Sequence, residues 1–220
     1  WVDTKPYTHR LKEARDKTKQ NCAVMVAKGY IDGIEITAGA VNFNFIGGSF
    51  GASEAEAVIY AVQYSIDNKT PLVFFPCGGG MRMFESMIAL SGMTKTTLAI
   101  NELKKNNLPY IVVFTDPTAG GITASFAMLG DIHYSEKGAL IAFAGKRVVQ
   151  ATVKEELPHD FQTAEFLEKH GFIDRIVIRK NLRKEISTIL SILLKKNSEV
   201  SSEDSNETSK NIEPIAKAAS

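Results

Sequence analysis

Cysteine is almost missing from this chain: two of 220 residues, Cys22 and Cys77, and they form no Cys-x-x-Cys pair. That excludes a self-contained zinc ribbon and a disulfide framework. It fits a reducing compartment, so a cytoplasmic location is expected. The histidines His9, His133, His159 and His170 are scattered, with no His-x-x-x-His or Glu–His pair at ligand spacing, and no metal site is expected. No run approaches the roughly 18 apolar residues of a membrane span, and no charged-then-apolar leader is present. Neither sign of charge is in excess: 26 Lys and Arg against 25 Asp and Glu leave +1, too little for a nucleic-acid footprint. Three signatures of familiar sites are missing as well. They are the dinucleotide Gly-x-Gly-x-x-Gly after a strand, the Gly-Lys-Ser/Thr of a phosphate loop, and the Gly-x-Ser-x-Gly nucleophile turn.

What is present is glycine in clusters. Cys77-Gly78-Gly79-Gly80-Met81-Arg82 follows the apolar run Pro71–Phe75, and Asp116-Pro117-Thr118-Ala119-Gly120-Gly121 follows Pro109–Phe114. Each run reads as a buried strand, and each cluster precedes a segment of helical character. Glycine lets a ligand approach the main chain. Unpaired N–H groups at a helix start form a site for an oxyanion or phosphate. A third cluster, Gly47-Gly48-Ser49-Phe50-Gly51, precedes Ser53-Glu54-Ala55-Glu56, which matches a capping box.

The rest of the chain alternates strand and helix. Tyr7 to Lys17 is polar and helical, within a lead-in over residues 1–20. Cys22–Ala27 and Ile31–Thr37 read as a hairpin, and Val41–Ile46 as a third strand. Helices are expected over Ala55–Ile66, Phe84–Asn106 (with a break near Gly92), Ile122–Leu129, Arg147–Glu156, Thr163–Lys169 and Leu182–Leu194. Short strands are expected at Ile132–Tyr134, Leu140–Phe143 and Ile173–Ile178. That order implies an α/β fold with mainly parallel pairing over residues 21–195. The two strand–turn–helix units suggest a spiral with equivalent turns on one side. Residues 196–220 are rich in Ser, Glu, Asn and Lys and are expected to be disordered. A chain that opens at Trp1 is expected to be a piece of a longer protein.

Acid–base machinery is not evident. Cys77 beside the first cluster reads as a small buried hydrophobe, and Ser125 as a packed residue. Arg82 either pairs with an acidic neighbour such as Glu85 or meets a phosphate. Amide donors without a base suit a reaction whose substrate brings its own.

At these residues the chain resembles the β subunits of the carboxyltransferase of bacterial multisubunit acetyl-CoA carboxylase. The strongest stretch is Leu108 to Asp131. Phe45–Gly51, Ala142–Gly145, Arg147-Val148, Leu157-Pro158, Phe161-Gln162 and Glu165–Leu167 support it. The resemblance implies a crotonase-type ββα spiral that transfers a carboxyl group from carboxybiotin, held on a biotin carboxyl carrier protein, to acetyl-CoA. The product is malonyl-CoA for fatty-acid synthesis. It implies a homologous α subunit as partner, in an α2β2 assembly whose active site forms between subunits. It places an oxyanion hole on Gly120 and Gly121, and acyl-CoA binding on Gly78, Gly79, Gly80, Met81 and Arg82. Zinc would belong only to the family's N-terminal ribbon of four cysteines, which is absent from this chain.

The chain departs from the family at several positions. Met81 and Phe84 stand where Ala and Gln are usual, Lys146 where Pro is, Asp160 where Gly is, and Thr163 where Arg is common. Those substitutions keep a second reading open, a binding subunit of this fold without turnover. Another acyl-CoA enzyme of the fold is a third.

Overall fold

The computed structural model describes residues 3–154, 156–195 and 213–214. Helix α1 (Tyr7–Thr18) leads into a hairpin, β1 (Val24–Ile31) and β2 (Ile34–Val41), paired in register from Val24↔Val41 to Ile31↔Ile34. Helix α2 (Ala52–Asn68), β3 (Leu72–Phe75), α3 (Ser86–Lys105) and β4 (Tyr110–Phe114) follow. Then come β5 (Thr118–Ala119), β6 (Ile132–Ser135), β7 (Ile141–Ala142), α4 (Lys146–Val153), α5 (Ala164–Lys169), β8 (Arg175–Ile176), α6 (Leu182–Leu193) and β9 (Glu213–Pro214).

Among the described residues the main sheet has the order β8-β6-β4-β3-β2-β1-β9. It is parallel from β2 through β8 and antiparallel at β1 and β9. The runs Leu72–Phe74 and Tyr110–Phe114 are fully buried because both faces of the sheet are covered. On one face α2 and α3 close over Phe74, Val112 and Phe114. On the other, Val73, Ile111 and Val113 pack against Leu182, Ile186 and Leu190 of α6.

Beyond the carboxyl ends of β2, β3, β4 and β6, the chain turns into a second short extended segment. These segments pair with one another in parallel: Phe50 with Met81, Gly78 with Thr118, and Thr118 with Ile141. Strand, second strand, then helix is thus repeated, and each repeat is stacked on the next. That is a ββα spiral, with the glycine clusters lying in its second ladder.

Several local expectations are corrected. Val41–Ile46 is not a strand: the Asn42 side chain accepts from Asn44 N–H and its carbonyl from Phe45 N–H, so β2 ends at Val41. The capping box lies earlier than expected. Glu54, not Glu56, turns back to accept from Gly51 N–H at 3.0 Å. Helix α3 runs unbroken through Gly92, which abuts Ala55 of α2. Ile122–Leu129 holds only turns and one 3-10 turn. Thr123 Oγ1 and Ser125 Oγ donate to the Gly120 and Gly121 carbonyls, competing with helical pairing. The disorder expected for 196–220 lies outside the described residues except at Glu213–Pro214, which instead add to the β1 edge.

Candidate active site

The first and second glycine turns touch. Gly78 N–H donates to Pro117 carbonyl at 2.7 Å, and Ala119 N–H returns to Gly78 carbonyl at 2.9 Å. A Cβ on Gly120 would lie 3.0 Å from Gly80 Cα, and Gly120 has φ 65, so a side chain is excluded there by both space and backbone. Gly78, at φ 147, is equally restricted: a Cβ would overlap the Gly48 carbonyl oxygen. Glycine is therefore required at these two positions for the backbones to meet.

Not every expected amide is available. Gly120 N–H is shared between the carbonyls of Ala142 (2.9 Å) and Phe143 (3.1 Å). Of the expected pair, Gly120 and Gly121, the Gly120 donor is thus engaged within the chain. Among the described residues, Gly79, Gly80 and Gly121 N–H take no internal partner. Gly80 and Gly121 are neighbours, since a Cβ on Gly80 would be 3.7 Å from the Gly121 nitrogen. The unspent donors thus come from both turns, Gly79 and Gly80 from the first and Gly121 from the second. Neither turn opens a regular helix at its glycines, so the donors are fixed by the ladder rather than by a helix start.

Arg82 follows the first glycine turn. It is 2% exposed, and all its donors are used. Nε donates to Ser49 Oγ (3.2 Å). One terminal nitrogen donates to Ser49 carbonyl (2.7 Å) and Glu54 (2.6 Å), the other to Glu85 (3.0 Å) and the Tyr7 hydroxyl (3.4 Å). Burial opposes its charge, but Glu54 more than offsets this and raises the pKa. All five guanidinium N–H groups are thus engaged within the chain, where they hold the turn. Of the two alternatives open from the sequence, the acidic neighbour is the one realised, with Glu54 as a second partner the sequence did not indicate.

The two carboxylates carry one more charge than Arg82 neutralises. Glu54 accepts from Ala23 and Gly51 N–H, and Glu85 from Ala52 N–H, at the first turn of α2, where the helix dipole favours negative charge.

Met81 lies over the free amide. Its Cγ would be 2.5 Å from a Cβ on Gly121, and Met93 sulfur 3.1 Å. Cys77 is buried, its thiol pushed up by burial, and donates weakly to Asp116 carbonyl at 3.6 Å, as a small hydrophobe would. Asp116 accepts from Leu140 N–H. The departures at Lys146, Asp160 and Thr163 gather at the connection between α4 and α5. Lys146 Nζ donates to the Pro158 and His159 carbonyls. Thr163 Oγ1 donates to Asp160 carbonyl and caps α5 by accepting from Phe166 N–H.

An apolar cleft of about 410 Å³ lies nearby, lined by Thr123, Ala142, Phe143, Phe161, Gln162 and Phe172 among others. None of the three free amides lines it. Among the described residues, no cluster of three His, Cys, Asp or Glu could hold a metal, and no helix is long and apolar enough to cross a membrane.

A ββα spiral in which backbone amides from two stacked turns lie side by side is a crotonase-type scaffold. The chain belongs to the carboxyl transferase domain family, whose model matches residues 4–214. The acetyl-coenzyme A carboxylase carboxyl transferase subunit beta of Pelagibacter ubique is 62% identical over 220 residues, covering 100% of this chain and 71% of that one. The subunit of the same name from Sinorhizobium medicae is 45% identical over 218 residues, covering 99% and 71%. Among solved structures, transcarboxylase 12S with methylmalonyl-coenzyme A and methylmalonic acid bound gives a TM-score of 0.70 at 26% identity, over 77% of this chain and 32% of that one. A Pseudomonas malonate decarboxylase heterodimer shares the fold, with a TM-score of 0.67 at 21% identity, over 79% and 77%.

Proposed function

We propose that this chain is the carboxyltransferase β subunit of an acetyl-CoA carboxylase, forming malonyl-CoA for fatty-acid synthesis in the cytoplasm. Its partners in this reading are a homologous α subunit, in an α2β2 assembly, and a biotin carboxyl carrier protein. The observation that carries the reading is the set of unspent amides, Gly79, Gly80 and Gly121, in a site whose ionisable neighbours, Arg82 and Glu85, are already paired.

Carboxybiotin on its carrier supplies both the carboxyl group and, once that is released, a base. This chain then has three tasks. The amides of Gly80 and Gly121 donate hydrogen bonds to the thioester oxygen as negative charge develops on it, when the acetyl methyl loses its proton. Preorganised donors of this kind are worth about 2.7–4 kcal/mol each. Gly78 to Met81 hold the acyl-CoA against the turn, and Met81 bounds the acyl pocket. The methyl proton goes to the released biotin, so this chain's part is to bind and polarise the acyl group; the need for a partner rests on its relatives being subunits of a larger enzyme.

The test is malonyl-CoA formation from carboxylated carrier and acetyl-CoA, with and without the α partner. The reading requires turnover only when both subunits are present. Full activity of the isolated chain, or no activity of the pair, contradicts it.

A further inference from the structure

We infer that Tyr7, on the lead-in helix, is a positioning residue for the first glycine turn. It acts through Glu85 and Arg82. The inference rests on the reading that this turn holds acyl-CoA.

Helix α1 stands outside the spiral in sequence, yet it is fastened beside the site. Leu11 and Ala14 pack on Phe45 and Ile46. Its first residue, Tyr7, does more. The hydroxyl donates to Glu85 Oε1 and accepts from Arg82 at 3.4 Å. Its ring stacks on Phe84, with centroids 5.6 Å apart, and the Arg10 guanidinium lies 5.3 Å from the same Phe84 ring. Phe84 is one of the positions where the chain departs from its family, and this aromatic contact with α1 gives that departure a role.

The connection onward is short. Glu85 and Arg82 are both held to the start of α2, and Arg82 N–H donates to Phe50 carbonyl at 2.8 Å. Phe50 N–H donates in turn to Gly80 carbonyl, also at 2.8 Å. One residue, Phe50, therefore links the Arg82 hub to Gly80, whose own N–H has no internal partner among the described residues. Tyr7 is the member of the hub that comes from outside the spiral. Removing its hydroxyl leaves Glu85 and Arg82 paired but each short of one hydrogen bond, in a part-buried group whose guanidinium is fully buried. The turn keeps its fold and loses definition.

Tyr7→Phe keeps the ring and its stacking and removes only the oxygen. In the assembled complex with the α subunit, the KM and calorimetric Kd for acetyl-CoA are expected to rise about tenfold, with kcat changed less than about threefold. Amide hydrogen exchange in residues 78–82 is expected to quicken, while exchange in Tyr110–Phe114 stays as in the parent. Gly80→Ala serves as the comparison, because it alters the turn itself. If Gly80→Ala weakens acetyl-CoA binding and Tyr7→Phe changes neither affinity nor exchange at 78–82, the role of Tyr7 is overturned and the turn stands as the acyl-CoA site. If Tyr7→Phe quickens exchange at 78–82 but neither variant alters affinity, the turn is not the acyl-CoA site. A uniform rise in exchange across the chain makes Tyr7 a stability residue only, and also overturns the inference.

Discussion

Met81 covers Gly121: a Cβ added to that glycine would lie 2.5 Å from Met81 Cγ. The thioether therefore occupies the space beside the amide that is to hold the thioester oxygen, in a family where alanine is usual. Met81→Ala removes that bulk while leaving the ladder between Phe50 and residue 81, which uses only backbone. The expected result is a change in acyl preference. The ratio of kcat/KM for propionyl-CoA to that for acetyl-CoA should rise about tenfold, the scale of one methylene in an apolar pocket. An unchanged ratio would place the acyl group elsewhere.

Gly121→Val tests the donor itself. Gly121 does not have a positive φ, so the backbone tolerates a side chain, and the conflict is with Met81 and Met93. The isopropyl group displaces the thioether or the substrate oxygen. A loss in kcat of roughly 100-fold or more is expected, with a smaller change in acetyl-CoA affinity, since the donor acts on charge that develops in the transition state. Steady-state kinetics on the co-purified complex give both numbers.

Arg82→Ala is expected to be a stability variant first. It leaves Glu54, fully buried, and Glu85 without their cation. Breaking such a pair costs about 3–5 kcal/mol, or roughly 6–20 °C in Tm for a chain of this size. Thermal unfolding at pH 7 measures it. A Tm within about 2 °C of the parent would mean the carboxylates are compensated by the α2 start alone.

Acid should act through Glu85. Burial raises its pKa, but hydrogen bonds from Tyr7, Ala52 and Arg82 outweigh burial and hold it below the ordinary 4.5. The folded chain thus binds this proton more weakly than the unfolded chain. The stability it contributes is complete above about pH 4.5 and is lost as pH falls through the depressed folded value. Glu85→Gln should therefore lower Tm at pH 7 and flatten its decline at pH values below 4.5. Parallel curves for parent and variant would contradict the assignment.

Much of this was legible in the sequence. The runs Leu72–Phe75 and Tyr110–Phe114 are strands at the expected residues, because a parallel strand covered on both faces is apolar throughout. The glycine clusters marked the place where the two turns meet. The fate of individual N–H groups was not legible. Whether Gly120 or Gly121 keeps a free donor depends on the carbonyls of Ala142 and Phe143, twenty-odd residues away. The Arg82 partners are remote as well: Glu54, 28 residues away, is brought in by the stacking of one repeat on the next, and Tyr7, 75 residues away, by the packing of α1 on Phe45 and Ile46. The helix expected after Gly121 fails for a local reason that the sequence did contain: Thr123 and Ser125 are hydroxyl residues able to take the turn's carbonyls.

The most direct measurement of the central claim is the thioester carbonyl stretch of acetyl-CoA labelled with carbon-13 at the carbonyl, recorded by infrared difference spectroscopy on the assembled complex. If the Gly80 and Gly121 amides polarise that oxygen, the band lies at lower frequency than in water, and Gly121→Val moves it back toward the solution value. A bound carbonyl with the solution frequency, or a lowered one that Gly121→Val leaves in place, would contradict the account.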